Sequence, residues 1–527
     1  MTGFPWPDTA FLWAALLLAV AMLAWDTVEV GRNDAANLVN AAYGARILTR
    51  ERAVVLAGIG ALLGATFSSA VIETARQGIF DPAAIPPRFD SPAEALHAAL
   101  AIYIGVYIVD TVLLYGYSAF GMPVSTTACL VFELLGAATA VGSPAIVKWP
   151  EAGTVVLAIV CSILVSAAAA FIAQRAIRGA IGDGGDRLAT LLLHGGWVGG
   201  GMLAGLTYFM LMKGMKAIPF VKSLNQEVIA VYGPGLVILA LWVGYAVVIH
   251  ACLVIWRKRA ARWVFPVIAM VATLAMAFAF GQNDLANCAS PGLAAFYLIK
   301  ERADGVAAAS KVPIATWFLF GSGCLLVLGM ATQNAQRVTR AEAATGSMSH
   351  AVALYAPAWC LALARRILAW RRAEPTLAPP PVVAETGETR DYDAVRACVI
   401  LCVGASVIAA ASSVGLPVST TYVAFAAVVA TGAADRILAR GDAELKLGRT
   451  IWVIFSWFSS AMIAAAAAAV VALLLLHGGV AGMGIGVAAN LVVRTVMKRR
   501  GDAQQRRAEE AARERQFPEQ FAEEVED

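Results

Sequence analysis

The sequence predicts an all-α polytopic membrane protein with about 10–12 membrane segments, some of them broken or re-entrant. Three observations carry that reading. The chain contains long runs almost free of formal charge, two seven-residue words each occur twice in the same order, and those words put polar residues inside or against apolar runs.

The apolar runs come first. Hydrophobic residues make up 60% of the chain and charged residues 14%, whereas soluble chains carry about a quarter charged residues. The deficit is concentrated in 10–25, 154–172, 228–256, 264–280, 395–411 and 451–476. A spanning helix needs about 20 apolar residues, and these runs lack the polar stripe of a helix on a soluble protein. Basic residues gather at segment ends, at Arg257–Arg259, at Arg365 to Arg372 and at Lys498–Arg500. Such clusters suit cytoplasmic anchors rather than a nucleic-acid surface, and the last favours a cytoplasmic C-terminus. The N-terminal MTGFPWPD lacks a basic n-region, so the first apolar run reads as a retained span. The eight cysteines show no C-x-x-C and read as small core residues.

The repeats come next. GRNDAAN at 31–37 returns as GQNDLAN at 281–287, and GMPVSTT at 121–127 returns as GLPVSTT at 415–421. Two unrelated words repeating in order mark a duplication. The halves fall near 1–190 and 263–480, with connecting spans at 191–262 and a last membrane segment plus charged tail at 481–527. The wider spacing in the second half is taken up by 364–393, whose Pro run and mixed charges predict an exposed loop. The tail beyond Lys498 reads as a solvated, frayed helix. Internal symmetry with polar interruptions of apolar helices is the pattern of a secondary transporter.

The polar interruptions carry the chemistry. Asp34 and Asp284 sit at or near membrane depth, where an acidic group costs roughly 2.5–3.5 kcal/mol. Each is surrounded by amides, Asn33 and Asn37 in one half and Asn283 and Asn287 in the other. Carboxylate and amide oxygens form a hard ligand set suited to sodium, and the carboxylate equally suits a titrating proton. Helix capping by Asn-Asp is the ordinary alternative for one copy, but duplication at membrane depth argues against it. In the second word, Pro123 and Pro417 break the helix ladder. Ser125, Thr126 and Thr127, and Ser419, Thr420 and Thr421, then open a new turn. Free N–H groups, the helix dipole and hydroxyls together form an anion site, although such hydroxyls can also join membrane helices. Asp110 and Glu133 are further intramembrane acids without a counterpart in the other half.

The paired GxNDxAN and PxSTT words resemble the inorganic phosphate transporter (PiT) family of cation–phosphate symporters, over most of 26–142 and 264–435. SSAVIETARQGI at 68–79, including Glu73, and SPGLAAFYL at 290–298 are similar to the family's continuations. The resemblance implies two inverted repeats with a midplane site. It implies inorganic phosphate held by Ser125, Thr126, Thr127, Ser419, Thr420 and Thr421. Sodium or a proton would be held by Asp34, Asn37, Asp284 and Asn287, with Asn33 and Asn283 beside them. The setting would be the plasma (inner) membrane of a bacterium, as a monomer or a homo-oligomer in the lipid bilayer.

Arg32 and Gln282 stand where the family has a small residue, and Val39, Asn40 and Ala41 where it often has Phe-Gly-Thr. These departures open a second reading, a symporter or permease for sulfate or another tetrahedral oxyanion. Arg32 either contacts the anion, as guanidinium geometry allows, or pairs with Glu29 or Asp26. A receptor or passive channel would not need both acids. An enzyme is disfavoured because no metal-ligand or nucleophile motif is present and none of the five histidines lies in a repeated word. No cofactor is expected, and no metal beyond a transported sodium.

Overall fold

The computed structural model describes residues 9–68, 79–80, 82–85, 89–182, 187–215, 218–300, 314–348, 352–370, 391–439 and 442–516. The first half holds α1 (Ala10–Gly44), α2 (Arg50–Thr66), α3 (Pro92–Ala119), α4 (Thr126–Gly142) and α5 (Trp149–Ile181). Between the halves lie α6 (Leu188–Leu206), the short α7 (Pro219–Leu224) and the start of α8 (Ala230–Lys300). The second half continues with α9 (Thr316–Met330), α10 (Gln333–Thr345), α11 (Ala358–Trp370), α12 (Ala394–Ser413), α13 (Thr420–Ala434) and α14 (Ala443–Gln516).

Local sequence explains the starts. Thr9 and Ser91 cap α1 and α3 by accepting from Leu12 N and Glu94 N, each at 3.2 Å. Pro92 occupies the first turn of α3, where its missing N–H costs nothing. The 35 residues of α1 would span about 52 Å at 1.5 Å per residue, well beyond a hydrocarbon core of about 30 Å. Its outer part shows Leu17 and Val20 to the surroundings, while every residue from 33 to 42 is buried.

Among the described residues, six helical runs are long and apolar enough to cross a membrane, and the pair α9–α10, bent by 67°, adds a seventh. The longest runs divide further. α8 leaves helical geometry at Gly233 and Arg257, and α14 does so at Gly479. Gly233 and Gly479 have positive φ, 77° and 52°, which glycine accepts freely. By contrast α4 and α13 are short apolar helices of 17 and 15 residues, as expected of broken spans.

The molecule is apolar outside and polar within. Leu157 and Leu164 on α5, Val243 and Val247 on α8, and Phe458 and Met462 on α14 are all exposed, while Asp34, Asp284, Asn33 and Asn283 are 0% exposed. Lipid is the solvent that tolerates such a surface. Glycines permit close helix contacts, as small residues do in membranes. Gly196 and Gly200 of α6 lie against Ala246 and Trp242 of α8 so closely that a Cβ would fall within 3 Å of backbone.

Two expectations need correction. The loop predicted at 364–393 begins later, because α11 continues to Trp370; residues 371–390 lie outside the described set. Its far end is docked. Asp391 N and Tyr392 N donate to Gly44 O at 2.9 and 3.2 Å, and the Asp393 carboxylate caps α12 through Arg396 N at 2.8 Å. The tail is more than a frayed helix. Beyond Lys498, Gly501 packs against Ala119 O and Asp502 pairs with Arg337 at 2.6 Å.

Candidate transport site

Four elements meet at the site: α1 and α8 carry the acid words, and the breaks before α4 and α13 carry the hydroxyl words. The glycine of each acid word fixes the approach. A Cβ on Gly31 would sit 2.0 Å from Leu326 O of α9, and one on Gly281 would sit 2.1 Å from Ala61 O of α2. The partner helices also offer glycine, since Gly329 of α9 meets Val28 O and Gly64 of α2 meets Phe278 O. Each acid helix is thereby held backbone-to-backbone against a helix of the opposite half.

Asparagines lock the broken backbone. Asn33 Nδ2 donates to Val124 O at 2.7 Å, and Asn283 Nδ2 donates to Val418 O at 2.7 Å. Val124 and Val418 are the residues between the proline and the Ser-Thr-Thr of each word. Helix breaks leave carbonyls without intrahelical partners, and a buried carbonyl must be satisfied. Thr127 Oγ1 reaches across to Val418 O at 2.9 Å and Thr421 Oγ1 to Val124 O at 3.2 Å.

The acids are bound crosswise. Asp34 Oδ1 accepts from Thr421 Oγ1 at 2.6 Å and from Asn37 Nδ2 at 2.9 Å. Asp284 Oδ1 accepts from Thr126 Oγ1 at 2.9 Å and from Asn287 Nδ2 at 2.8 Å. Thus the first-half acid meets a second-half hydroxyl, and the second-half acid meets a first-half hydroxyl. The two carboxylates are close enough to feel each other's charge. Asn287 Nδ2 also touches Thr127 Oγ1 at 2.9 Å, and Asn37 Nδ2 touches Thr421 Oγ1 at 3.1 Å.

What each acid word leaves free is a matched oxygen set. Asp34 Oδ2, Asn37 Oδ1, Asp284 Oδ2 and Asn287 Oδ1 are buried and accept no hydrogen bond. Two carboxylate and two amide oxygens have the hardness that alkali cations prefer. Ser125 and Ser419 cap their helices, accepting from Ala128 N at 3.0 Å and Tyr422 N at 3.1 Å. Each retains its own hydroxyl proton, and the N–H groups of the first helical turn lack intrahelical partners. Thr420 Oγ1 faces the Asp284 carboxylate without closing a hydrogen bond of standard geometry.

All twelve residues singled out in the repeated words therefore lie buried at one junction. Arg32 does not join them. Its guanidinium forks onto Glu29 at 2.8 and 2.7 Å and donates to Thr332 Oγ1 at 3.1 Å, and Arg494 completes the ion pair from α14 at 2.6 Å. Glu73 lies outside the described residues. Gly329 and Gly64, which set the helix spacing, escaped sequence reasoning because they stand outside the repeated words.

Comparisons with known proteins identify the family. A family model described as "Phosphate transporter family" matches residues 30–350. A candidate phosphate permease of Pyrococcus abyssi is 27% identical over 469 residues, covering 87% of this chain and 95% of that protein. Another from Chlamydia trachomatis is 25% identical over 476 residues, covering 85% and 95%. Among solved structures, a sodium-dependent phosphate transporter matches with a TM-score of 0.64 at 19% identity, over 88% of this chain and 98% of that one. With its duplicated words gathered at one buried junction and a family model spanning more than half its length, the chain belongs to the phosphate transporter family.

Proposed function

We propose that the chain is a secondary active symporter that imports inorganic phosphate together with sodium. The crosswise binding of Asp34 and Asp284 carries this reading. Each acid is held by the opposite half while one of its oxygens, and one oxygen of the following asparagine, accept nothing from the protein. A sodium ion needs several oxygens at once, which such a set supplies; a proton needs only one carboxylate. Phosphate would sit against the N-termini of α4 and α13, where the first-turn N–H groups not taken by the serine caps, the helix dipole and the hydroxyls converge on negative charge. The solved relative is a sodium-dependent transporter, which supports the same reading. Two inverted repeats rocking about this midplane junction would alternate access.

The sulfate reading loses one of its motives, since the guanidinium of Arg32 is committed to Glu29. The deciding measurement is uptake of labelled phosphate into proteoliposomes under imposed gradients. Accumulation driven by an inward sodium gradient, with arsenate competing, is the expected result. Accumulation driven only by a pH gradient would replace sodium with a proton, and competition by sulfate but not arsenate would replace the cargo.

A further inference from the structure

A cavity of about 420 Å³ opens beside the end of α1. Its wall carries Arg46, Arg50 and Arg340, against Glu51 as the one acidic lining residue, with Thr49 and Gln336 between them. Thr49 is the N-cap of α2, so the positive end of that 17-residue helix also faces the space. The Nε of Arg50 is buried and has no hydrogen-bond partner, although its Nη2 donates to Thr332 O at 3.0 Å and lies 3.5 Å from Met330 O. Arg340 is exposed and donates to Gln336 Oε1 at 3.5 Å. Arg50 and Arg340 thus bring two like charges to one cavity. Two guanidinium groups lining one space, with a buried N–H left over, form an arrangement that a planar or tetrahedral oxyanion relieves.

Position adds to the chemistry. Tyr43 lines the cavity six residues beyond Asn37 on the same helix, which is about 9 Å along the axis. Arg50 is bonded to the bend between α9 and α10, and Arg32 is bonded to the same bend through Thr332. The cavity therefore lies on the face of the molecule reached from the buried junction along α1.

We propose that this arginine-lined cavity is a second, weaker binding site for a phosphate-type oxyanion, an antechamber to the buried junction. Its ligand is either free orthophosphate in transit or the headgroup of an anionic phospholipid, which share the same chemistry. Only the antechamber role rests on the transport reading above; binding itself does not require transport.

The experiment is equilibrium binding of radiolabelled orthophosphate to the purified full chain in lipid-free detergent, with bound lipid counted separately by native mass spectrometry from membranes rich in phosphatidylglycerol. Wild type should show a weaker class of phosphate sites beside the tight one, or retain phosphatidylglycerol. Arg340→Gln should weaken that class about tenfold, the scale of one lost charged hydrogen bond, and Arg50→Gln with Arg340→Gln should abolish it. Arg50→Lys should restore part of it. The tight class, sensitive to Thr420→Val, should survive. Arg340 is exposed, so its replacement leaves folding intact even where Arg50→Gln does not. If Arg340→Gln and the double variant change neither weak phosphate binding nor retained lipid, the proposal is wrong. Loss of phosphate alone identifies orthophosphate, and loss of lipid alone identifies the headgroup. A chain that binds in this way yet transports nothing would overturn the symporter reading and leave the cavity site standing.

Discussion

The two threonines that follow the serine caps occupy equivalent places in the repeat but do different work, and a matched pair of substitutions separates them. Thr126 Oγ1 donates to Asp284 Oδ1 at 2.9 Å, whereas Thr420 Oγ1 faces the same carboxylate without a hydrogen bond of standard geometry. Valine nearly preserves the volume of threonine and removes the hydroxyl. In Thr126→Val the buried carboxylate of Asp284 loses a charge-assisted donor, worth roughly 1.5–3 kcal/mol. A factor of ten is about 1.4 kcal/mol, so the variant should shift apparent sodium affinity about ten- to one-hundredfold and lower the melting temperature in detergent. Thr420→Val removes a hydroxyl that faces Asp284 without closing a standard hydrogen bond, so it costs the fold less. Its melting temperature should stay near wild type, while phosphate affinity falls by a comparable factor if the free hydroxyl donates to the anion. The assay is phosphate binding by the purified protein across a sodium titration, with thermal unfolding of the same samples. Equal behaviour of the two variants in both measurements would refute the division of labour, and unchanged phosphate affinity in Thr420→Val would place the anion elsewhere.

Other perturbations follow from the same geometry. Asp34→Asn and Asp284→Asn should each abolish sodium-driven accumulation in proteoliposomes while membrane insertion persists, because an amide cannot balance a bound cation and is cheaper to bury than a carboxylate. Gly281→Ala should destabilise the purified protein by about 1–3 kcal/mol, the usual range for overpacking, because its Cβ would meet Ala61 O at 2.1 Å; Gly153→Ala, with nothing within 4 Å, is the silent control. Arg32→Gln should lower the melting temperature by breaking the pair with Glu29 yet leave phosphate affinity unchanged, and a selective loss of affinity would return Arg32 to the anion.

Much of this arrangement was legible because the repeated words fall on the residues that meet. Duplication singled out Asp34 with Asp284 and Thr126–Thr127 with Thr420–Thr421, and membrane depth required a reason for the acids. What the words could not display was the crossing. A repeat invites the assumption that each acid serves its own half, while the contacts run between Asp34 and Thr421, and between Thr126 and Asp284. Periodicity located the ends of the rods only in part. The sequence separates the runs 228–256 and 264–280 at the basic cluster that holds Arg257 and starts a last segment at 481, close to Gly479, but Gly233 falls inside an apolar run and its break depends on a single backbone position. The role of Arg32 was open between two partners, and only the fold brought Arg494 from the far end of the chain to complete the Glu29 pair.

The crossing has a mechanical consequence. If each acid were held within its own half, the halves could move apart without disturbing either cation ligand. Because Asp34 is held by Thr421 and Asp284 by Thr126, any rotation of one half against the other strains both ligand sets at once. The same threonine words open α4 and α13, so a phosphate seated at their N-termini, as proposed, would bear on the same four segments as a bound cation. On the proposed reading, binding one species would organise the donors of the other through Asn37 and Asn287, which touch both an acid and a hydroxyl. Coupling of this kind is reciprocal by thermodynamic necessity: whatever factor by which sodium tightens phosphate, phosphate must tighten sodium. Two shared asparagines and two crossed threonines supply a physical route for that exchange without any signal travelling beyond the junction.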